Sequence, residues 1–207
     1  MKILVCISNV PDTTTKITFN SDNTEFNASG VQFILNPYDE IALSKAIDLC
    51  EGGKGTITVI HVGEASTEPT IRKALAIGAD DAVRIDATPS DAYFVAYQIA
   101  AYAKDKNFDM ILTGRESIDY NSAQVAAMLG EFLDLPSISI IKKLDLNGNK
   151  ATLSREIEGG KETEPIVARI LSVIITETGK NMIVAVDNQK NIYNISDFSN
   201  STSICVE

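Results

Sequence analysis

The sequence predicts an α/β domain: a doubly wound, mostly parallel sheet with helices on both faces, plus a small antiparallel hairpin extension. Three observations lead there. Short apolar runs at residues 2–7, 56–62, 82–85 and 110–113 are continuous rather than alternating, the pattern of parallel strands covered on both sides. Segments with apolar residues at helical spacing separate these runs, so strands and helices alternate up to about residue 138. Beyond Pro136 that alternation stops, and Asn147-Gly148 between two apolar stretches signals a hairpin.

Taken in order, residues 2–7 form the first buried strand, and residues 8–15 its polar loop. Residues 17–19 and 31–35 flank Ser21 to Thr24 as the arms of a small hairpin excursion. Asn36-Pro37 turns the chain into a helix over about 39–51, with Ile41, Ala42, Ala46, Leu49 and Cys50 as its buried face and Gly52-Gly53 ending it. After the strand at 56–62, a helix begins at Glu68 with Pro69 in its first turn and Gly78 at its C-cap. Ser90 caps a helix reaching Lys104, with Phe94, Val95, Ile99, Ala101 and Tyr102 at apolar positions. The run at 110–113 leads through the polar stretch 114–124 into an apolar-periodic helix at 125–133. Residues 137–144 and 151–154 face each other as the predicted hairpin, residues 156–162 form a charged loop, and residues 166–176 form another strand.

Bulk properties narrow the function. With 207 residues and 44% hydrophobic content, the chain can bury one sizeable core. We expect a main domain over 1–176 and a divergent tail over 177–207, a loose hairpin or partly disordered. A net charge of −10 without a lysine or arginine run argues against nucleic acid or an anionic membrane as partner. Neither a signal peptide nor a membrane span is legible, so the expected location is cytoplasmic, without direct membrane insertion. Cys6, Cys50 and Cys205 lack CxxC spacing and His61 is the sole histidine, so neither a disulfide framework nor a metal site is expected.

The stretch 114–124 is the natural place for a ligand. In open α/β sheets ligands sit outside the carboxyl ends of strands, where the following helix presents free N–H groups to an anion. On residue type alone this is equally a polar loop capped by Asn121 or Ser122. Cys6 reads as a small buried hydrophobe and His61 as a packed histidine, while Arg115 suits a phosphate or a flavin edge as well as it suits water. The glycine fingerprint of dinucleotide dehydrogenases and the P-loop lysine are both missing, and no acid, base or nucleophile constellation is visible, so catalytic residues are not expected.

Five segments, in register, are together specific. They are residues 5–14 (Val-Cys-Ile-Ser-Asn-Val-Pro-Asp-Thr-Thr), 36–40 (Asn-Pro-Tyr-Asp-Glu), 72–80 (Arg-Lys-Ala-Leu-Ala-Ile-Gly-Ala-Asp), 114–119 with Gln124, and 155–162 (Arg-Glu-Ile-Glu-Gly-Gly-Lys-Glu). Over roughly residues 1–176 the chain thereby resembles the β subunit of electron transfer flavoprotein. The resemblance implies an adenine-nucleotide α-hydrolase-like fold and a heterodimer with an α subunit that holds the redox FAD. It implies electron transfer from flavoprotein dehydrogenases, including those of fatty acid oxidation, to a quinone oxidoreductase or another acceptor, with no bond chemistry by this chain. It also implies an AMP, or in bifurcating members a second FAD, bound here. Contacts then fall on Cys6, Ser8, Asn9, Asn36, Pro37, Tyr38, Asp39 and Val62. Others fall on Gly114, Arg115, Glu116, Ser117, Ile118, Asp119, Tyr120, Asn121, Ser122, Ala123, Gln124 and Val125, while Thr13 faces the flavin.

The departures are specific too. AMP-type members read Asp-Asp-Asp-Cys-Asn-Gln-Thr-Gly where this chain reads Asp-Tyr-Asn-Ser-Ala-Gln-Val-Ala over 119–126, and bifurcating members read closer to Asp-Gly-Asp-Thr-Ala-Gln-Val-Gly. The C-terminal segment with which the family recognises dehydrogenases and grips the α subunit has no counterpart in residues 181–207. The alternatives are a stand-alone adenine-nucleotide module akin to universal stress proteins, or a diverged paralogue without activity.

Overall fold

The computed structural model describes residues 1–147, 150–157, 160–167 and 171–175. Strand β1 (Lys2–Cys6) lies at the middle of a six-stranded sheet and pairs in parallel with β4 (Thr56–Val62) and β6 (Met110–Gly114). Outside β4 lies β5 (Asp81–Ile85); outside β6 come β11 (Leu171–Ile175) and then β7 (Ser137–Ile141), all parallel, giving the order β5-β4-β1-β6-β11-β7. Each inner strand has apolar residues on both sides because helices cover both faces. Ile3 and Val5 pack with Ala42, Leu43 and Ala46 of α1 (Pro37–Cys50) and with Ile71 and Ala74 of α2 (Glu68–Ile77). On the opposite face Leu4 and Cys6 pack with Ala96, Ile99 and Ala100 of α3 (Ala92–Ala103) and with Leu129 of α4 (Val125–Leu133). The predicted α/β class and helices on both faces are therefore observed.

Several helix signals landed as expected. Pro69 lies in the first turn of α2, and Gly78, at φ 143°, terminates it in a conformation that a side chain resists. Other details differ. Asp91 rather than Ser90 caps α3, its carboxylate accepting the Phe94 N–H at 2.7 Å. Small residues, Ala96, Ala100 and Ala103, take the sheet side of α3, whereas Ala101 is exposed. A helix seated on alanines sits close to the sheet, and the bulkier Tyr93 and Tyr97 are left outside against Phe132. On α1 the fully buried leucine is Leu43, while Ile41, Leu49 and Cys50 are half-buried.

The β excursions differ more. The strand β3 (Phe33–Leu35) pairs antiparallel with β2 (Asn9–Pro11), just after β1, and not with residues 17–19. A Phe19–Phe26 bridge, with the Asn20 N–H on the Glu25 carbonyl and the Asn27 N–H on the Thr18 carbonyl, closes the tip of the excursion. The hairpin signalled by Asn147-Gly148 forms from β8 (Lys143–Asn147) and β9 (Lys150–Ile157), but Ser137 to Ile141 belong to the parallel sheet as β7. The charged segment expected as a loop is mostly ladder: β10 (Gly160–Val167) pairs with β9, completing a three-stranded sheet in the order β10-β9-β8. Pro165 lacks a ladder donor and so fits only an edge strand, which β10 is. The run expected as one strand at 166–176 accordingly divides, its apolar half entering the parallel sheet as β11. The expected tail over 177–207, its hairpin and Cys205 lie outside the described residues.

Candidate functional site

The topology turns at β1. From it the chain builds outward to β4 and β5 on one side and, later, to β6 on the other. The loops following β1 and β6 therefore flank the switch point at the carboxyl edge, the place where such sheets receive ligands.

The start of α1 links the two loops. Asn36 and Asp39 are both buried. The Asp39 carboxylate accepts the Ser8 N–H at 2.7 Å through Oδ2 and the Gly114 N–H at 3.0 Å through Oδ1, joining the ends of β1 and β6. Asn36 donates from Nδ2 to the Glu116 carbonyl at 2.9 Å and accepts the Ile118 N–H at 3.3 Å. Its own backbone N–H reaches the Ser8 carbonyl at 3.0 Å. Burial pushes the Asp39 carboxyl up to about 7, against the pull of Asn36 and the Ser8 and Gly114 N–H groups, which favour the ionised form. The side chains of these two residues, at positions where the resemblance implies nucleotide contacts, thus bond to the chain's own backbone.

The loop after β1 is tied at two further points. His61 Nδ1 lies 2.8 Å from the Ile7 carbonyl; a carbonyl only accepts, so Nδ1 carries the proton and Nε2 presents a lone pair, unpartnered among the described residues. Burial lowers the basicity of this imidazole. The Thr70 hydroxyl on α2 donates to Asn9 Oδ1 at 2.6 Å. Cys6 faces the α3 and α4 side, where burial first and the nearby Asp39 charge second raise its thiol far out of the reactive range. Val62 is buried at the end of β4, and Thr13 is exposed beside the Asp12–Thr14 turn.

The distal half of the β6 to α4 loop behaves differently. Residues 119–124 are exposed, with Tyr120 at 84%. Asn121 and Ala123 have φ of 51° and 52°, a left-handed conformation costly for alanine. Among the described residues no group accepts a hydrogen bond from the backbone N–H of Ser122, Ala123, Gln124 or Val125, which lead into the N-terminus of α4. Gln124 occupies the N-cap position without a side-chain cap bond. A left-handed residue followed by a right-handed one turns successive N–H groups toward one side, which suits an anion, and the helix dipole adds to the attraction. Arg115 is held by Glu116 at 3.3 Å at the proximal end of the loop.

The structure therefore brings Ser8, Asn36, Asp39 and Gly114 to Ile118 into one bonded unit, and leaves 119–125 as the open part. Sequence reasoning missed Thr113. It pairs with Cys6 across β1 and β6, and its buried hydroxyl is unpartnered among the described residues. A polar residue at the last position of an otherwise apolar run, immediately before the loop glycine, was the available signal. No group of three or more metal-ligating side chains occurs among the described residues, and no helix there is long and apolar enough to cross a membrane.

Fold and topology define a doubly wound α/β protein whose β1 and β6 loops meet at the switch point of its sheet. The model of the electron transfer flavoprotein domain matches residues 24–192. The electron transfer flavoprotein subunit beta of Bacillus subtilis is 38% identical over 185 residues, 87% of this chain and 70% of the relative. That of Thermoanaerobacterium thermosaccharolyticum is 32% identical over 197 residues, 94% and 75% of the two chains. The human subunit beta is 33% identical over 169 residues, 79% and 66%. The chain belongs to the electron transfer flavoprotein β-subunit family.

Proposed function

We propose that this chain is the β subunit of a heterodimeric electron transfer flavoprotein and binds an adenine nucleotide, AMP or a second FAD, at the switch point between the β1 and β6 loops. The observation that carries the nucleotide is the run of backbone N–H groups at 122–125, leading into α4, that have no acceptor among the described residues. A phosphate there satisfies donors that are otherwise left to water. Backbone recognition also suits a loop with Tyr120 and Ser122 at positions where both family motifs carry other side chains.

The flavin, when bound in the heterodimer, supplies the redox chemistry. This chain's residues hold and orient: the β6 to α4 loop takes the phosphate, and the β1 loop with Thr13 walls the partner's cofactor. Ile17 and Phe19, 62% and 58% exposed on the excursion after that loop, supply an apolar surface for the α subunit. Flavoprotein dehydrogenases are the proposed donors and a quinone oxidoreductase the proposed acceptor.

The test is to co-express the chain with its α subunit, purify through a tag on this chain, denature, and separate the released nucleotides. One FAD and one AMP per pair is the expected result for an ordinary carrier, and two FAD for a bifurcating one. Adenine nucleotide without an α subunit would favour the stand-alone module, and neither partner nor nucleotide would refute the proposal.

A further inference from the structure

Asn36 and Asp39 do not merely sit near the switch point; they connect the loops on its two sides. From the first turn of α1 one carboxylate holds the Ser8 and Gly114 N–H groups, while one carboxamide holds the Glu116 carbonyl and the Ile118 N–H. Each polar atom of both side chains thereby has a backbone partner, and both residues are buried. There is also no slack. A Cβ added at Gly114 would lie 2.2 Å from Asp39 Oδ1 and 2.8 Å from both the Asp39 nitrogen and the Tyr38 carbonyl carbon. Charge-assisted bonds inside such packing are strong, and breaking one strands a buried charge.

The proximal part of the β6 loop, 114–118, and the start of the β1 loop are therefore one body with the α1 N-terminus. The distal part, 119–124, is exposed, carries two left-handed non-glycine residues and has backbone donors without an acceptor among the described residues. Ordering the distal part by an anion must pull on Ile118 and Gly114, and hence on Asn36 and Asp39, and hence on Ser8. On the far side Thr70 anchors the same β1 loop through Asn9.

We propose that Asn36 and Asp39 are positioning residues that couple occupancy of the β6 to α4 loop to the conformation of the β1 loop. The inference rests on the nucleotide reading above and adds a function to it: the bound nucleotide stiffens the loop that leads to Thr13, so the two loops sense each other's state. Coupling of this kind is reciprocal, since whatever the nucleotide does to the β1 loop, loosening that loop does to nucleotide affinity.

Hydrogen exchange of the full chain with and without saturating AMP tests it, alongside AMP affinities of variants. In the wild-type chain AMP is expected to slow exchange at 117–125 and also at 8–15. In Asn36→Ala and Asp39→Asn, saturating AMP still slows 117–125 but no longer 8–15, and affinity falls about tenfold. Thr70→Val, remote from the anion donors, lowers affinity several-fold by freeing the β1 loop, and adds nothing further in the Asp39→Asn background. That non-additivity is what a purely structural role would not produce. Protection at 117–125 without any change at 8–15 in the wild type, or additive losses in the double variant, would overturn the coupling while leaving the nucleotide site intact. Absence of protection at both segments would overturn the nucleotide reading and the coupling together. Asn36→Ala and Thr70→Val keep the test decisive should Asp39→Asn not fold.

Discussion

Replacing Gly114 with alanine probes the centre of the site with one methyl group. The new Cβ would meet the Asp39 Oδ1 at 2.2 Å and two backbone atoms of α1 at 2.8 Å, all in a buried turn that cannot swing away. Two costs add. Forcing a methyl into a filled space costs about 1–3 kcal/mol, and displacing the carboxylate from the Gly114 N–H removes a charge-assisted bond worth about 1.5–3 kcal/mol. The expected loss is about 3–6 kcal/mol, a large share of a typical domain's stability. Urea unfolding followed by far-ultraviolet circular dichroism reads it directly, and at roughly 3 kcal/mol/M for a chain of this size the midpoint falls by about 1–2 M. Gly53→Ala is the calibrator. Gly53 has φ of 76° but nothing within 4 Å of an added Cβ, so only backbone strain of about 1 kcal/mol is incurred. If Gly114→Ala unfolds within 1 kcal/mol of Gly53→Ala, Asp39 is not seated against Gly114 and the clamp described above does not exist.

Three further outcomes follow from other parts of the molecule. Burial holds the His61 imidazole below its ordinary basicity, so the unfolded chain takes up a proton before the folded one does. The contribution of His61 to stability is therefore full above about pH 6.5 and declines as pH falls below it, while the raised Asp39 carboxyl contributes a slope of opposite sign below about pH 7. In His61→Asn, whose amide can still donate to the Ile7 carbonyl, the His61 part of the slope should disappear from thermal melts between pH 7 and about 5; an unchanged slope would remove His61 as a contributor. Asp91→Ala removes the cap bond to the Phe94 N–H and should cost about 1 kcal/mol in denaturant unfolding, with Asp91→Ser recovering most of it. Leu112→Ala, at a fully buried position of the central sheet, should cost about 2–5 kcal/mol with an unchanged denaturant slope, and a loss below that range would mean that the surrounding side chains refill the space.

Much of this protein was legible in one dimension. Continuous apolar runs made β1, β4 and β6 recognisable as strands buried on both faces, because in a parallel sheet each strand sees a helix above and below. Gly78 and Pro69 marked the ends of α2 because the first accepts a φ that other residues resist and the second needs no donor in the first turn. The loop at 114–124 announced itself as polar residues between a strand and a helix, and its place at the carboxyl end of a strand followed from the order of the elements, whereas the switch point exists only in the assembled sheet.

What the chain order does not encode is which distant residues meet. Asp39 reads locally as an acidic residue favoured by a helix N-terminus, yet its bonds go to Ser8 and Gly114, which lie 31 and 75 positions away. The desolvation that raises its pKa exists only once β1, β6 and α1 have packed. Residues 166–176 read as one more strand, but only the assembled sheet determines that their 171–175 part lies between β6 and β7 as β11. Pro165 and its charged neighbours show the converse: excluded from the sheet centre by the missing donor, they find the edge of a second sheet that the hairpin β8–β9 creates. Local propensity and burial pattern are properties of neighbours in sequence, whereas hydrogen-bond partners and electrostatic environment are properties of neighbours in space, and here the second kind builds the site.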